Sequence, residues 1–330
     1  MTTSEMSETM YWMKALVKQT LLTLYKDSGV ARIQEEFLWR SGLGFMSILL
    51  FHRVTDAIPE DGLTIGTTRF RQVCQMLRQK FHVVPLAEVF ETVRGRRLLR
   101  PRTVAITFDD CYKDNLFAAR LLKDLGLPAC FFVPTAYVGT NEVFPWDRHL
   151  PRMPNLSWDD VREMAAQGFE IGSHTVTHCD LGAVSPSKAW EEVVASKIEI
   201  ERQLRRPIRW FAYPFGGPEH FRPEWVPLLR EAGYDGCVSA HCGFVRPPRQ
   251  ALAAGELSGR TDLFVLPREA VPPFKSLLHL ELFLSGSLNW YYQRKKSQAC
   301  NEMCSRVPVP RHDAAVACEA SQPIEIAPRC

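Results

Sequence analysis

Two adjacent carboxylates follow an apolar segment in the first half of the chain. The segment TVAITF (103–108) is typical of a buried strand, and Asp109 and Asp110 come directly after it. Because neighbouring residues at a strand end point in different directions, one carboxylate can bind a metal ion while the other takes a proton from water. Taken alone, the pair is equally compatible with an ordinary loop start, where aspartate is common as a cap.

Two histidines at chelating spacing follow another apolar segment, FEIG (169–172). His174 and His178 lie in SHTVTH, and a helix beginning there would place both imidazoles on one face. Together with Asp110 they make a set of two histidines and one carboxylate, which leaves a position open for water, as in hydrolytic zinc sites. The same set occurs in non-haem iron(II) oxygenases. That alternative gives no role to a second carboxylate, so Asp109 favours the hydrolytic interpretation.

A third segment, RWFAYPFGG (209–217), predicts a strand that turns sharply at its end. Pro214 and Phe215 are followed by Gly216 and Gly217, which allow the backbone to approach a ligand closely. Backbone N–H groups in such a turn can stabilise a developing oxyanion. Without the other two segments it would be only the exit of a strand.

Short apolar runs alternate with helical patterns over most of the chain. The apolar runs are 45–51, 103–108, 130–133, 169–172, 209–213 and 235–240. Helices are predicted between them, starting near Asp114, Ser157, Ser185 and Pro223. This alternation predicts an α/β fold with a parallel sheet. Six or more such units, and no GxGxxG after the first strand, favour a closed or nearly closed (β/α) barrel over an open doubly wound sheet.

The three segments together, ITFDD, SHTVTH and FAYPFG in this order, resemble the polysaccharide deacetylases with a NodB homology domain, carbohydrate esterase family 4. The resemblance covers about residues 45–270. It implies a distorted (β/α) barrel of the glycoside hydrolase/deacetylase type and a bound divalent metal ion, most commonly Zn²⁺. It also implies a hydrolase that removes N-acetyl groups from N-acetylhexosamine units of a polysaccharide or oligosaccharide.

The resemblance also assigns roles to individual residues. Asp109 matches the general base, and the backbone N–H of Phe215 matches the oxyanion donor. The metal ligands of the family correspond to Asp110, His174 and His178. Aromatic residues near the predicted rim are candidates for stacking on sugar rings or for internal packing: Tyr112, Trp146 and Trp158.

The chain departs from the family pattern at two places. The arginine that orients the base in the family is replaced by Ala212, and we predict that Arg268 holds Asp109 instead. The L-x-H motif that carries the general acid is missing after the proline motif. Leu50, Phe51 and His52 resemble that motif as it occurs in a circularly permuted branch of the family, which predicts His52 as the acid. The alternative is a structural histidine at the end of the strand.

We predict three regions: an N-terminal helical extension (1–44), a polysaccharide deacetylase domain (45–275), and a C-terminal helix with a disordered tail (276–330). A net charge of +3 and the lack of a basic stripe disfavour nucleic acid as a partner. The N-terminal helix is expected to pack on the domain rather than to contact a membrane. We expect a cytoplasmic protein, since no secretory signal is visible and the 10 cysteines follow no disulfide framework. The departures from the motifs leave a catalytically impaired glycan-binding protein as the alternative function.

Overall fold

The N-terminal part of the chain forms two helices rather than one. The computed structural model describes residues 3–247 and 262–288, with side chains from residue 13 onward. The N-terminal helical extension predicted over 1–44 consists of helix α1 (Thr3–Asp27) and helix α2 (Val30–Arg40). Gly29, with φ of 80°, breaks the stretch, because a left-handed residue cannot continue a right-handed helix.

The centre of the molecule is a curled parallel sheet. Its strands are β1 (Met46–Phe51), β4 (His82–Val83), β5 (Thr103–Phe108), β6 (Cys130–Val133), β7 (Glu170–Ser173), β8 (Trp210–Ala212), β9 (Gly236–Val238) and β10 (Glu269–Ala270). They are arranged in the order β10-β1-β5-β6-β7-β8-β9, and β4 pairs with the amino-terminal half of β5. The short strands β2 (Arg53–Val54) and β3 (Thr64–Ile65) form a separate parallel pair.

Residues 266–270 connect two distant strands of the sheet, β9 and β1. Leu266 forms a parallel bridge with Val238 of β9, and β10 pairs with β1 three residues later. The sheet therefore curls into a distorted (β/α) barrel, as the sequence predicts. Because all its strands are parallel, their carboxyl ends meet on one face, where the active sites of such barrels lie.

Helices surround the sheet in the order that the sequence predicts. They are α3 (Thr67–Lys80), α4 (Leu86–Val93), α5 (Asn115–Leu125), α6 (Trp158–Ala166), α7 (Pro186–Leu204), α8 (Trp225–Glu231) and α9 (Leu277–Leu284). Ser157 and Asp160 form a capping box at the start of α6, and Pro186 occupies the first turn of α7. The Asp114 side chain makes no capping hydrogen bond at the start of α5.

Apolar side chains of the strands and of the helices' inner faces form the core on which the site rests. Strands β1 and β5 are buried along their whole length, which matches their continuous apolar sequences. Within residues 3–247 and 262–288, no helix is long and apolar enough to cross a membrane. The tail predicted after the C-terminal helix lies outside the described residues.

Candidate metal-binding and catalytic site

The backbone turns sharply at the carboxyl end of β5, and this turn brings two carboxylates to one place. Asp110 and Cys111 both adopt left-handed conformations, with φ of 73° and 54°. The Asp109 N–H donates to the carbonyl of Phe51, so the turn stays attached to β1. Asp109 and Asp110 are each only 2% exposed. Strain of this kind in non-glycine residues is common where side chains must converge on a site.

His174 and His178 converge on the same place from the carboxyl end of β7. His174 Nε2 lies 3.5 Å from Asp110 Oδ1, and His178 Nε2 lies 3.2 Å from the same oxygen. The segment that carries them is a turn, not the start of a helix. Thr175 and His178 adopt positive φ angles of 66° and 57°, so a turn rather than helical periodicity brings the imidazoles together.

The three side chains fit a divalent cation. Their ligand atoms lie within 4.8 Å of one another, and all three residues are buried. Bond lengths typical of zinc to nitrogen and oxygen place tetrahedral ligands about 3.3 Å apart, close to the two separations above. Asp110 Oδ1 has no hydrogen-bond partner among the described residues, although it is fully buried. A buried carboxylate oxygen without a partner is costly, and a cation removes that cost.

The orientation of His174 also suits a metal ligand. Its Nδ1 lies 2.8 Å from the carbonyl oxygen of Ala212, which can only accept, so this nitrogen carries the proton. The other nitrogen, Nε2, therefore presents its lone pair towards Asp110. Histidine ligands of metals are commonly fixed in this way by a backbone carbonyl.

A buried glutamate on α7 holds the turn that carries the histidines. Glu192 is 1% exposed, and its carboxylate accepts hydrogen bonds from the backbone N–H groups of Val176 and Thr177, at 2.9 and 2.8 Å. It also accepts from the Thr177 hydroxyl at 3.0 Å. Sequence reasoning missed Glu192. Its only signal is a charge among the buried positions of α7, beside Ala189 and Val193.

Replacing Glu192 by alanine is expected to weaken metal binding about 10- to 100-fold, the usual cost of losing support behind a ligand. Isothermal titration with zinc measures this directly and needs no substrate. Glu191→Ala is the matched control, since Glu191 is exposed on the same helix and pairs with the same Lys188 at 3.3 Å. Equal affinities for the two variants would show that Glu192 does not position the ligands.

Arg268 binds Asp109 through both of its terminal nitrogens. Its Nη1 and Nη2 lie 2.7 and 2.6 Å from the two carboxylate oxygens of Asp109. The guanidinium is fully buried and also donates to the carbonyl of Ser239 and to the Thr107 hydroxyl. The structure thus places Arg268 where the sequence analysis expects the partner of the base. Ala212 lies buried in β8, where its carbonyl oxygen accepts the hydrogen bond from His174 Nδ1.

This arrangement keeps Asp109 ionised and outside the ligand set. Burial alone would raise the pKa of Asp109, but the charges of Arg268 and His174 outweigh it and hold that pKa below its usual value. Asp109 Oδ2 lies 3.8 Å from His174 Nε2, at the edge of the metal site. An ionised carboxylate beside a metal site, but held by an arginine, is suited to accept a proton from water.

His52 follows β1 and lies next to the same carboxylates. Burial has the largest effect on its pKa and lowers it, while the charges of Asp110 and Asp109 act in the opposite direction. Its backbone is fixed by Asn115, whose side-chain amide donates to the His52 carbonyl at 2.7 Å. Six of the seven residues predicted for the site therefore follow the carboxyl ends of strands. The exception is Arg268, which directly precedes β10 and reaches Asp109 with its long side chain.

Asp114 is half-buried close to this site, and one of its two carboxylate oxygens lacks a hydrogen-bond partner among the described residues. Its Oδ1 accepts from Asn115 at 2.9 Å, whereas its Oδ2 is buried and has no hydrogen bond within the described residues. Burial raises its pKa to about 6. The folded protein therefore prefers the protonated form of Asp114 more than the unfolded chain does, and ionisation of Asp114 destabilises the fold.

Asp114→Asn is expected to leave stability unchanged below about pH 4, to raise it progressively between about pH 4 and pH 6, and to keep that gain at higher pH. A shift of about two pKa units corresponds to about 2–3 kcal/mol at most above pH 7. Denaturant unfolding from pH 4 to pH 8 measures the difference, with Asp124→Asn as the control, since Asp124 is exposed on the same helix. A stability difference that does not change with pH would contradict this explanation.

An aromatic wall stands beside the histidines. Trp146 and Phe215 lie with ring centroids 4.8 Å from that of His178, and Phe215 adopts φ of 60° in the predicted turn. Gly216 is required there, because an added Cβ would lie 2.3 Å from the backbone nitrogen of Ala240. Trp146 and Phe215 are half-buried, so they form an edge of the site that substrate can reach.

A buried polar network behind this wall fixes its position. The Trp146 indole donates to the Tyr112 hydroxyl at 3.2 Å, and that hydroxyl donates to Asp147 at 2.5 Å. Asp147 also pairs with Arg53, whose guanidinium is 1% exposed. Tyr112 is itself buried, so it packs behind the site and is not one of the rim residues. The sequence gives no signal that would pair Arg53 with Asp147.

Comparison with known families agrees with this geometry. The model of the family described as "Polysaccharide deacetylase" matches residues 97–236, which include Asp109, Asp110, His174, His178 and Phe215. The chain contains a polysaccharide deacetylase domain. His52 and Arg268 lie outside the matched residues, at the two ends of the deacetylase barrel, and the fold brings them to the same site.

Two curated proteins are similar to parts of this chain. YxkH of Bacillus subtilis (strain 168), named as a polysaccharide deacetylase, is 28% identical over 143 residues. These are 43% of this chain and 46% of YxkH, so the chain spans about half the length of that relative. The chitooligosaccharide deacetylase of Bradyrhizobium sp. (strain ANU 289) is 28% identical over 187 residues, which are 52% of this chain and 73% of that protein.

A solved structure supports the barrel of the deacetylase domain. The Streptococcus pyogenes deacetylase PplD, in complex with acetate, superposes with a TM-score of 0.58 at 23% identity. The superposition covers 72% of this chain and 96% of that one. At this identity the similarity establishes the fold alone.

Proposed function

We propose that the protein is a metal-dependent deacetylase that hydrolyses N-acetyl groups of N-acetylhexosamine units in a polysaccharide or oligosaccharide. The observation that carries the proposal is the position of Asp109. It lies at the edge of the Asp110–His174–His178 site, remains ionised, and is held by Arg268 rather than by the metal ligands. This separation of ligand and base is what amide hydrolysis at a metal site requires.

The cation would be held by Asp110, His174 and His178. Two imidazoles and one carboxylate in a closely spaced buried set suit Zn²⁺, which is the metal we propose. When bound, the cation supplies Lewis-acid polarisation of the acetyl carbonyl and lowers the pKa of water. Glu192 and the Ala212 carbonyl would keep the two histidines in position for it.

The protein's own groups then divide the proton transfers. Asp109 takes the proton from the attacking water, and Arg268 keeps its carboxylate oriented and charged. The backbone N–H of Phe215, in the turn after β8, would stabilise the oxyanion as the tetrahedral carbon forms. His52 donates a proton to the leaving amine on the sugar. The products are acetate and a glycan with a free amine.

A glycan substrate is supported by the comparisons and by the rim of the site. The Bradyrhizobium relative is named for chitooligosaccharides. The half-buried rings of Trp146 and Phe215 beside His178 are suited to stack on a sugar ring. An iron oxygenase is less well supported, because its chemistry has no use for the Asp109–Arg268 pair. A binding protein without activity would have no use for that buried pair either.

Acetate release from N-acetylglucosamine oligomers tests the proposal. The purified full chain is stripped of metal, resupplied with zinc or cobalt, and assayed on β-1,4- and β-1,6-linked oligomers, with the free amine detected by mass spectrometry. We expect release only after metal is restored. Stoichiometric metal binding without release from any of these glycans would reject the enzymatic assignment and favour the binding protein. Oxygen consumption with iron(II) would favour the oxygenase.

A further inference from the structure

The outward sides of α1 and α2 carry most of the exposed large apolar side chains of the described chain. Of the eleven in residues 13–247 and 262–288, eight lie between Met13 and Phe37. Five of them belong to α1, each 58–68% exposed: Met13, Leu16, Val17, Leu21 and Leu24. The other three belong to α2: Val30, Ile33 and Phe37. We call these eight side chains the outer helical face.

Helix α1 docks on the domain through polar groups and through the partly buried Leu22 and Tyr25, which leaves its other large apolar side chains facing outward. Lys18 lies 3.2 Å from His279, and Lys26 pairs with Glu281 at 3.1 Å. The Tyr25 hydroxyl donates to the carbonyl of Ser287 at 2.7 Å. A helix on a monomer normally has the opposite orientation, with its apolar side against the core. The outer helical face is therefore built to be covered by something else.

The size of the outer helical face matches one side of a protein interface. Side chains exposed to this degree add up to on the order of 800 Å² of apolar surface, the share that each partner contributes to a standard interface. The largest apolar patch of a typical monomer is only about 300–600 Å². Left in water, a surface of this size would promote association.

The spacing on α1 favours a second helix as the partner. Met13, Val17, Thr20 and Leu24 follow one another at intervals of four, three and four residues, which is the seam spacing of paired helices. Thr20 is the only polar member of the seam, and no charged residue occupies it. Another helix with the same seam fits such a surface by interdigitation.

The charges around the outer helical face favour a protein over an anionic lipid surface. Helix α1 carries three lysines between residues 13 and 27. Two of them, Lys18 and Lys26, point towards α9, where they contact His279 and Glu281. Exposed residues near the face carry both signs: Lys14, Asp27, Arg32, Glu36 and Arg40. Mixed charges can pair across a two-fold axis, where each patch meets its own copy. Asp27 and Glu36 offset two of the three basic residues, so the outer helical face offers an anionic membrane surface little net attraction.

We propose that two copies of this chain associate through their outer helical faces, the α1–α2 pair of each copy packing on that of the other. This proposal is independent of the deacetylase activity. Sedimentation velocity of the full chain over a range of concentrations is the test, with an expected mass of twice 37.6 kDa. The double variant Val17→Glu/Leu24→Glu is expected to shift the dimer to monomer, raising the dissociation constant at least about tenfold, since buried unpaired charges are costly.

A control variant and a vesicle-binding assay distinguish the proposed dimer from a monomer and from membrane binding. Ile198→Glu is the control, because Ile198 is 52% exposed on α7, away from the face, and its dimer should persist. Circular dichroism verifies that each variant is folded. A monomer at every concentration, or a dimer that the double variant leaves intact, would overturn the proposal. So would flotation of monomer with phosphatidylglycerol vesicles that the double variant abolishes, which would assign the face to a membrane.

Discussion

Replacing Asp110 by asparagine is expected to abolish metal binding and, with it, deacetylation. Asp110 is the only carboxylate among the three candidate ligands, and its Oδ1 lies 3.2 and 3.5 Å from the two imidazoles. Asparagine has the same shape but offers a weak neutral ligand. We expect zinc affinity to fall by more than about 100-fold, beyond the usual cost of altering a supporting residue, and acetate release to fall in parallel.

The metal-dependent change in melting temperature provides a readout that needs no substrate. Zinc should raise the melting temperature of the wild type, because a ligand that binds only the folded state stabilises it. The variant should show no such rise. Its metal-free form should be less stable than the metal-free wild type near neutral pH. Burial raises the pKa of Asp110, but the neighbouring His174 and His178 outweigh it and hold that pKa well below its usual value, so the fold stabilises the carboxylate that asparagine removes. An unchanged zinc response in the variant would mean that the ion binds elsewhere.

Replacing Arg268 by methionine is expected to impair both stability and catalysis. The substitution leaves the Asp109 carboxylate buried without its bidentate partner, and breaking a buried pair from one side costs about 3–5 kcal/mol. The pKa of Asp109 should rise, because Arg268 is the largest of the effects that lower it. The acidic limb of the pH–rate profile should therefore move to higher pH, with the loss mainly in kcat.

Two further variants distinguish a positioning role from a purely structural one. Arg268→Lys keeps the positive charge but cannot bind both oxygens of the Asp109 carboxylate. Compared with Arg268→Met, it should therefore recover part of the lost stability and shift the pH profile part of the way back towards that of the wild type. The double variant Arg268→Met/Asp109→Asn should recover stability but no activity, since it removes the uncompensated charge along with the base. If Arg268→Met lowers kcat without moving the pH profile, Arg268 contributes to folding but not to the ionisation of Asp109.

The sequence was sufficient for the barrel and for most residues of the site. Continuous apolar strands such as TVAITF and the helices between them follow from local patterns that burial imposes. The motif residues lie at strand ends, and parallel strands bring those ends together without further information. Arg268 and His52 were predicted instead from the two departures from the family motifs. They are far apart in the sequence but adjoin the neighbouring strands β10 and β1.

Local backbone conformation and long-range polar contacts could not be predicted from the sequence. The histidine pair looked like a helical i, i+4 pair, but residues 174–178 form a turn whose positive φ angles depend on Glu192. Helical periodicity continued through Gly29, so a single N-terminal helix was predicted where two exist. Such features depend on which distant side chain satisfies a backbone group, and no local pattern encodes that.

The measurement that tests the central claim most directly compares Asp109→Asn with the wild type in zinc binding and in acetate release. Asp109 is held by Arg268 and is not one of the three ligand residues, so the two readouts should separate. We predict that the variant binds zinc with nearly wild-type affinity and releases acetate from N-acetylglucosamine oligomers at least about 100-fold more slowly, the usual contribution of a general base. Wild-type rates of acetate release in a zinc-loaded Asp109→Asn protein would contradict the assignment of Asp109 as the base.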